Sequence, residues 1–215
     1  MTSPTLTFIG KDSGFGNNNN SAYIEDNNNL YIIDCGFSVF NVIKNKFNFK
    51  KYNSINIIIT HLHNDHAGSL SQLILYLWFI HNIKVNIICN CNKIKEYLDI
   101  TGTPSDAYAL KDSLENLEFI KTEHTKYLDA YGFKLIINNK NIIYTGDTNT
   151  LEPFMPYLDN ANELYIDISR FGGAHIKIDD IHENLRTLKQ KGIDIYLMHL
   201  DDKDYINAIS NNEFN

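Results

Sequence analysis

The sequence predicts a single α/β domain, on three observations. Short apolar segments with the alternation of β-strands come first, and strand and helix patterns then share the rest of the chain. No Pro- or Ser-rich linker and no internal repeat divides the 215 residues. The apolar fraction of 43% is ordinary for a globular chain that buries a sizeable core. We therefore expect one domain over residues 1–215.

The first elements are predicted to be strands. TLTFIG alternates like a strand, KDSGFGNNNN is a Gly- and Asn-rich loop, and SAYIE and LYIID form a hairpin around Asp26–Asn29. The continuous apolar run INIIIT (55–60) predicts a strand that is buried on both faces. A helix is expected from about Ala67 to Ile80. Its apolar segment LILYLWFI is too short to span a membrane and is expected to be buried.

The second half alternates between the two kinds of element. VNIIC predicts a strand and CNKIKEYLDI a helix. NLEFIKT, GFKLII and NIIYTG predict three strands, the last two joined by an Asn-rich turn. After the strand ELYIDIS, the apolar spacing over 178–191 predicts a helix that stops near Gly192. IDIYLMH predicts the last strand, and DDKDYINAIS a short final helix.

Composition argues against one class of function and indicates a cellular compartment. A net charge of −7 with only two arginines argues against a surface built for nonspecific nucleic-acid binding. The start lacks a signal-peptide pattern, and the three cysteines make no disulfide framework, so we expect reduced thiols in a cytoplasmic protein. Cys89 and Cys91 flank one residue like half of a metal site, but no second pair completes it. Burial at a strand end is the favoured interpretation.

The segment ITHLHNDHAG (59–68) places three of the eight histidines within six positions. On an extended backbone, His61 and His63 point the same way and can converge on one metal ion. Asp65 and His66 lie at the turn into a helix, where they can face a second ion. Imidazole and carboxylate ligands suit zinc and related divalent ions, whereas a structural zinc site favours cysteines. A chance group of surface histidines is the alternative.

Further ligands are available where other strands end. His124 follows LEFIKTE, Asp147 lies in TGDT after IIY, and His199 follows IYLM. Taken singly, a histidine or aspartate at a strand end is more often a solvated or capping residue than a ligand. In this order after HLHNDHAG, the three residues indicate a metal centre much more strongly.

HLHNDHAG, then His124, then TGDT and the strand-end His199, resembles the metallo-β-lactamase superfamily, and LYIIDCG (30–36) resembles its early strand. The resemblance covers nearly the whole chain and implies an α/β fold of four layers, an αββα sandwich, with two metal ions between the sheets. It implies zinc by default, with manganese or iron as alternatives. His61, His63 and His124 would bind one ion, Asp65, His66 and His199 the other, and Asp147 would bridge them.

The resemblance also implies the chemistry. Two ions roughly 3.5–4 Å apart hold a hydroxide and stabilise both the attacking and the leaving oxygen of a phosphodiester. Asp65 would act in catalysis as well as binding a metal ion, because its carboxylate can accept a hydrogen bond from that hydroxide. Asp34 either orients a metal ligand or stabilises the turn before Gly36.

The segment SRFGGAHIKIDDIHENL (169–185) bears on the branch of the superfamily. His175 resembles the histidine that faces the scissile phosphate in ribonuclease Z-like members, so a catalytic role at the leaving oxygen is expected. A capping or structural histidine is the alternative. Only 22 residues (125–146) separate His124 from Asp147, which leaves no room for the arm that grips tRNA. The size and motif order are similar to small phosphodiesterases that act on cyclic nucleotides, some of them phage proteins.

The sequence therefore predicts a dinuclear metal-dependent hydrolase, and within that class a phosphodiesterase for a small substrate such as a cyclic nucleotide. A long tRNA substrate and a membrane association are not expected. A thioester or lactone hydrolase with the same ligands is the alternative enzyme, and a non-catalytic metal-binding sensor is the alternative outside enzymes. The resemblance makes a homodimer plausible. The loop Ser13–Asn20 either shapes substrate access or is a plain turn.

Overall fold

The computed structural model describes residues 4–214, and its strands form two sheets. The first sheet contains, in spatial order, β1 (Thr7–Gly10), β2 (Ser21–Asp26), β3 (Asn29–Ile33), β4 (Ser54–Ile59), β5 (Val85–Cys89) and β6 (Tyr108–Lys111). The second contains β11 (Asp194–Met198), β10 (Glu163–Asp167), β9 (Lys140–Tyr144), β8 (Tyr131–Ile137) and β7 (Leu117–Lys121). Every strand that the sequence predicts is present.

The helices lie between these strands along the chain. They are α1 (Val39–Lys46), α2 (Asn64–Ala67), α3 (Leu70–His81), α4 (Ile94–Ile100), α5 (Met155–Leu158), α6 (Ile178–Gln190) and α7 (Lys203–Ile209). Short 3-10 helices cover Phe49–Lys51, Ser105–Ala107 and Glu152–Phe154. Among the described residues, no helix is both long and apolar enough to cross a membrane.

Each sheet combines antiparallel and parallel pairs. β1, β2 and β3 pair antiparallel, and β3, β4, β5 and β6 pair parallel. In the second sheet β7, β8 and β9 pair antiparallel, whereas β9, β10 and β11 pair parallel. Parallel strands bring their carboxyl ends to the same edge, so residues that follow β3, β4, β9, β10 and β11 meet there.

Asparagine pairs make the two tightest hairpin turns. Asn27 and Asn28 have φ of 47° and 62°, and Asn138 and Asn139 have φ of 51° and 59°. Two successive residues with positive φ form the turn that matches the twist of a two-residue hairpin, and asparagine tolerates this conformation better than most residues. Both hairpins were predicted at these positions.

Three groups of buried side chains hold the layers together. One packs β3, β4 and β5 against α1, α3 and α4, and a second packs β10 and β11 against α6 and α7. The third lies between the two sheets. Ile57 faces the helices and the adjacent Ile58 faces the opposite sheet, so β4 is buried on both faces as its apolar run predicts.

The helix after the histidine segment differs from the prediction at both ends. It begins at Leu70 after a separate turn of helix, α2, and ends at His81, where Asn82 adopts the left-handed conformation. LILYLWFI was expected to form a buried helix, and its residues Leu73, Ile74 and Leu77 are buried, whereas Phe79 and Ile80 at its end are exposed. Twelve residues make more than three turns, so one side of the helix must face solvent.

α1, β6 and α5 are among the elements that the sequence did not predict. α1 has the sequence VFNVIKNK, in which polar residues obscure the helical period, and β6 and α5 have only four residues each. Their formation depends on the sheets and helices that they contact rather than on local pattern.

Candidate metal centre

The predicted ligands meet at the edge where the carboxyl ends of the strands converge. His61 and His63 follow β4, His124 follows β7, Asp147 follows β9, and His199 follows β11. Chain direction and strand pairing therefore bring together residues up to 138 positions apart along the chain (His61 to His199).

His61, His63, His124 and Asp147 form one group of potential ligand atoms, all within 4.8 Å of one another. His63 Nδ1 lies 2.9 Å from His61 Nε2 and 3.2 Å from His124 Nε2. Asp147 Oδ2 lies 3.7 Å from both His61 Nε2 and His124 Nε2. Three imidazole nitrogens and one carboxylate oxygen thus face a common point.

Asp65, His66, His199 and the same Asp147 form a second group within the same limit. Asp65 Oδ2 lies 3.3 Å from His66 Nε2 and 3.1 Å from His199 Nε2. Asp147 Oδ1 lies 3.3 Å from His66 Nε2. Asp147 is therefore shared between the two groups, and all seven residues that were predicted as ligands belong to one or the other.

The donor atoms fit divalent metal ions. His66 Nε2 and Asp147 Oδ1 are buried, and neither forms a hydrogen bond of acceptable geometry with any described residue, a costly arrangement unless a ligand satisfies them. Imidazole and carboxylate together match the preferences of zinc and neighbouring divalent ions. The cysteines take no part, since Cys35, Cys89 and Cys91 are buried free thiols outside these groups.

Carboxylates raise the pKa values of two histidines in the second group. Burial alone would lower the pKa of His199, but the charges of Asp147, Asp167 and Asp65 raise this pKa to about 10. The pKa of His66 is also raised, because the carboxylates of Asp147 and Asp34 outweigh burial. Without metal these histidines therefore retain protons that a metal ion must displace.

In the first group, by contrast, the pKa values of two histidines are lowered. Burial lowers the pKa of His61, and the neighbouring histidines lower it further. Burial and His124 lower the pKa of His63 as well. Both imidazoles are therefore neutral near pH 7, which is the form that binds a metal ion.

A second layer of hydrogen bonds orients histidines of both groups. Asp34 Oδ2 accepts a bond from His66 Nδ1 (2.9 Å), and Asp34 Oδ1 accepts one from the Thr60 backbone N–H (2.8 Å). His124 Nδ1 donates to the carbonyl oxygen of Ala174 (3.0 Å). Of the two interpretations of Asp34, the structure supports an orienting contact with a ligand. Such contacts set the tautomer and the direction of the free nitrogen.

Asp167, at the end of β10, was not singled out from the sequence. Its Oδ2 accepts a hydrogen bond from His175 Nδ1 (2.8 Å), and its Oδ1 lies 3.4 Å from His199 Nδ1. The signal that could have found it is its position, because ELYIDIS places a carboxylate at the end of a strand in the same way as the segments before Asp147 and His199.

His175 lies beside the second group. Its ring stacks on that of His199, with 4.7 Å between centroids, and its Nδ1 is 3.9 Å from Asp147 Oδ2. Burial would lower the pKa of His175, but the hydrogen bond to Asp167 raises it. The hydrogen bond to Asp167 therefore engages Nδ1 rather than Nε2.

An open cleft of about 1450 Å³ reaches this centre. His63, Asp65, His124 and His175 lie on its floor, and the Gly-rich loop around Gly14 forms part of its wall. A β-carbon at Gly14 would lie 3.1 Å from Asp65 Oδ2, so glycine lets the loop approach the centre closely. The loop therefore borders the site rather than making a remote turn.

The architecture matches a solved structure over nearly the whole chain. The metallo-β-lactamase fold protein YhfI from Bacillus subtilis superposes with a TM-score of 0.76 at 19% identity, covering 97% of this chain and 92% of that one. The chain has the metallo-β-lactamase fold. The predicted four-layer αββα class is thereby confirmed.

Further comparisons find another solved structure and a phage protein that are similar to this chain. The short form of human tRNase Z, ELAC1, superposes with a TM-score of 0.69 at 14% identity, covering 93% of both chains. The family model described as anti-Pycsar protein Apyc1 matches residues 4–99. A protein of Bacillus phage 010DV004 with that name is 25% identical over 231 residues, which cover 92% of this chain and 89% of the relative.

Proposed function

We propose that this chain is a dinuclear metal-dependent phosphodiesterase that acts on a small phosphodiester such as a cyclic nucleotide. One observation carries the proposal: two groups of ligand atoms share Asp147, and His175 stands beside them in an open cleft. Two-metal sites of this kind serve displacement at phosphorus.

The proposed ligand sets follow the two groups. His61, His63 and His124 would hold one ion, Asp65, His66 and His199 would hold the other, and Asp147 would serve both. Zinc is the proposed metal, with manganese and iron as alternatives that the same donors accept. A bound pair of divalent ions lowers the pKa of a water molecule to about 7 and so provides hydroxide at neutral pH.

Asp65 is proposed to orient the attacking water. Its Oδ2 is held between His66 Nε2 and His199 Nε2, and these two contacts hold the pKa of Asp65 well below its usual range in spite of burial. A carboxylate that stays ionised can accept a hydrogen bond from the attacking water and direct its lone pair to phosphorus.

His175 is proposed to protonate the leaving oxygen. Asp167 accepts the Nδ1 hydrogen bond and therefore orients the ring so that Nε2 is available to the cleft. Proton donation by such a histidine assists departure of an alkoxide, which is a poor leaving group unless it is protonated. In a cyclic substrate this step opens the phosphodiester ring.

The surroundings favour a small substrate. β8 and β9 occupy the chain between His124 and Asp147 with a two-residue turn, so nothing extends there to grip a long nucleic acid. The phage relative is named an anti-Pycsar protein, and the sequence motifs resemble phage phosphodiesterases that act on cyclic nucleotides. These two observations support a cyclic nucleotide over tRNA.

The test is hydrolysis of bis(p-nitrophenyl) phosphate by the full chain with added zinc or manganese, followed by a panel of cyclic nucleotides. We expect metal-dependent turnover that a chelator removes. No turnover by protein that still binds two metal ions per chain would contradict the proposal and favour a thioester or lactone substrate on the same centre.

The remaining parts of the proposal concern the whole chain. We propose a single hydrolase domain that works in the cytoplasm as a homodimer. Light scattering coupled to gel filtration measures the oligomeric state, and metal analysis of protein purified without added metal identifies the native ion.

A further inference from the structure

Three phenylalanines project from three separate loops at the mouth of the catalytic cleft. The side chain of Phe15 is fully exposed, and Phe171 and Phe37 are 72% and 51% exposed. All three line the cleft that contains His63 and His175. Exposed phenylalanines that share one cleft mark a binding surface more often than an accident of composition.

The loop of Phe15 is fastened to the metal centre. Gly14 approaches Asp65 closely, and the backbone N–H of Ser13 donates to the carbonyl oxygen of Leu200 (3.1 Å), the residue after His199. The backbone position of Phe15 is therefore set by two segments that carry proposed metal ligands.

Hydrogen bonds also hold the backbones of the other two phenylalanines. The Phe37 N–H donates to the carbonyl oxygen of Asn64 (3.1 Å), in the segment between His63 and Asp65. The Phe171 N–H donates to Ser169 Oγ (2.9 Å), and the guanidinium of Arg170 lies 5.4 Å from the Phe171 ring centroid. All three side chains thus remain in solvent while their backbones are fixed, which lowers the entropy lost on binding.

Charge at the cleft argues against a ligand with several phosphates. Among its described lining residues Lys203 is the only lysine or arginine, and its ammonium group pairs with Asp12. The adjacent Arg170 pairs with Asp202. Since both cations are neutralised by carboxylates, phosphate recognition is confined to the metal centre and His175, and the other end of the ligand meets aromatic rings.

We infer that Phe15, Phe37 and Phe171 form an aromatic rim that stacks on the base of a cyclic mononucleotide while its single phosphodiester lies at the metal centre. This inference rests on the proposed phosphodiesterase function. An aromatic side chain recognises a base through its π-face and contributes to affinity even without hydrogen bonds to the base edge. The rim therefore makes the base, rather than the ribose, the main determinant of substrate affinity.

The kinetic test uses the metal-loaded full chain with a 3′,5′-cyclic nucleotide and with the matching cyclic ribose phosphodiester that lacks the base. Each of Phe15→Ala, Phe37→Ala and Phe171→Ala is expected to raise KM for the nucleotide about 5- to 100-fold, the range of base–aromatic stacking, with kcat changed less than about twofold. KM for the substrate without a base should stay the same. Substitution by tryptophan should preserve the wild-type KM.

Phe79→Ala is the matched control, because Phe79 is 69% exposed on α3 and does not line the cleft. It should leave both kinetic constants unchanged. A second readout does not depend on turnover: a fluorescent cyclic nucleotide of ethenoadenine should be quenched on binding to His175→Ala, and each added rim substitution should remove most of the quenching.

Three results would overturn the rim. Hydrolysis of cyclic nucleotides with the same KM in wild type and rim variants would reject it while leaving the phosphodiesterase in place. Conversion of a dimer to a monomer by the rim substitutions, with no change in base dependence, would show that these rings contact a second subunit. If the wild type hydrolysed no phosphodiester, the proposed function would fail, and unchanged quenching in the rim variants would then reject the rim separately.

Discussion

Asp147 links the two groups of candidate ligands, because its Oδ2 lies 3.7 Å from His61 Nε2 and its Oδ1 lies 3.3 Å from His66 Nε2. Gly146 before it has φ of 57°, a conformation that glycine adopts without strain, and a β-carbon there would lie 2.5 Å from the carbonyl oxygen of Tyr131. The tight turn after β9 therefore requires glycine in order to bring the carboxylate to the ligands.

Asp147→Ala is expected to bind fewer than two metal ions per chain and to lose nearly all hydrolysis of bis(p-nitrophenyl) phosphate. The variant removes a carboxylate that both groups use, so neither ion keeps its full ligand set. Metal analysis by mass spectrometry and initial rates measure the two effects. Asp112→Ala, at an exposed loop residue, is the control and should match the wild type.

His175→Ala is expected to keep both metal ions and to lower kcat about 10²- to 10⁴-fold, the usual contribution of a general acid. His182→Ala is the matched control, since His182 lies on α6 outside the cleft. A His175 variant with the full rate would reject protonation of the leaving oxygen by this side chain. Loss of metal from the same variant would assign it as a ligand instead.

Asp167→Asn tests whether this carboxylate positions His175. The amide keeps the shape but removes the charge that favours a protonated imidazole, so we expect kcat to fall and the decline of kcat at high pH to move to lower pH. The sign follows from the pKa of His175, which Asp167 raises. An unchanged pH profile with intact metal content would limit Asp167 to a structural role.

At the scale of single elements, the apolar spacing of α6 was sufficient to predict both the helix and its end. Ile178, Ile181, Leu185 and Leu188 recur at helical spacing, all four are buried, and the helix ends at Gln190 before Gly192, as predicted. α1 and β6 lack a comparable pattern. They form because neighbouring elements offer them an apolar surface or a free strand edge.

Leu185→Ala is expected to lower the free energy of unfolding by about 2–5 kcal/mol, because it leaves a cavity between α6 and the second sheet. Urea unfolding followed by circular dichroism measures the change. Asn184→Ala, at the exposed neighbour, should differ from wild type by less than about 0.5 kcal/mol. Metal content should be the same in both variants, since neither side chain contacts the centre.

At the scale of the whole molecule, metal binding joins segments that lie far apart in the sequence. Ligands that are contributed by both sheets gather only in the folded chain, so bound metal stabilises that state by mass action. At a metal concentration about 1,000-fold above Kd the gain is about 4 kcal/mol. We expect a chelator to lower Tm by roughly 8–16 °C and added zinc to restore it.

Differential scanning calorimetry measures this shift, and Asp147→Ala, which lacks the bridging carboxylate, should show little of it. Titration calorimetry in buffers of different ionisation enthalpy adds a second measurement. Because His199 has a pKa of about 10 without metal, its proton must leave when metal binds. Metal affinity should therefore rise with pH through the neutral range. In the scanning experiment, an equal Tm with and without chelator would contradict stabilisation of the folded chain by metal.

Local pattern was sufficient to predict every strand that borders the site, the helix over α6 and the four proposed ligands of HLHNDHAG, whereas His124, Asp147 and His199 were chosen from the order of the motifs along the chain and their resemblance to a family. The strands, the helix and the histidine segment can be found from the sequence because the spacing of apolar residues and the clustering of histidines involve neighbouring residues. The αββα arrangement came from resemblance of the motif order, and it was confirmed by the superposition with a solved metallo-β-lactamase fold.

Tertiary packing alone decided the rest. Asp167 Oδ1 lies 3.4 Å from His199 Nδ1 because β10 and β11 are parallel neighbours whose carboxyl ends share an edge. Likewise Phe15, Phe37 and Phe171 are scattered along the chain, and nothing in their local sequence distinguishes an exposed ring from a buried one. Contacts between distant residues depend on how sheets pair and pack, and that information is distributed over the entire core.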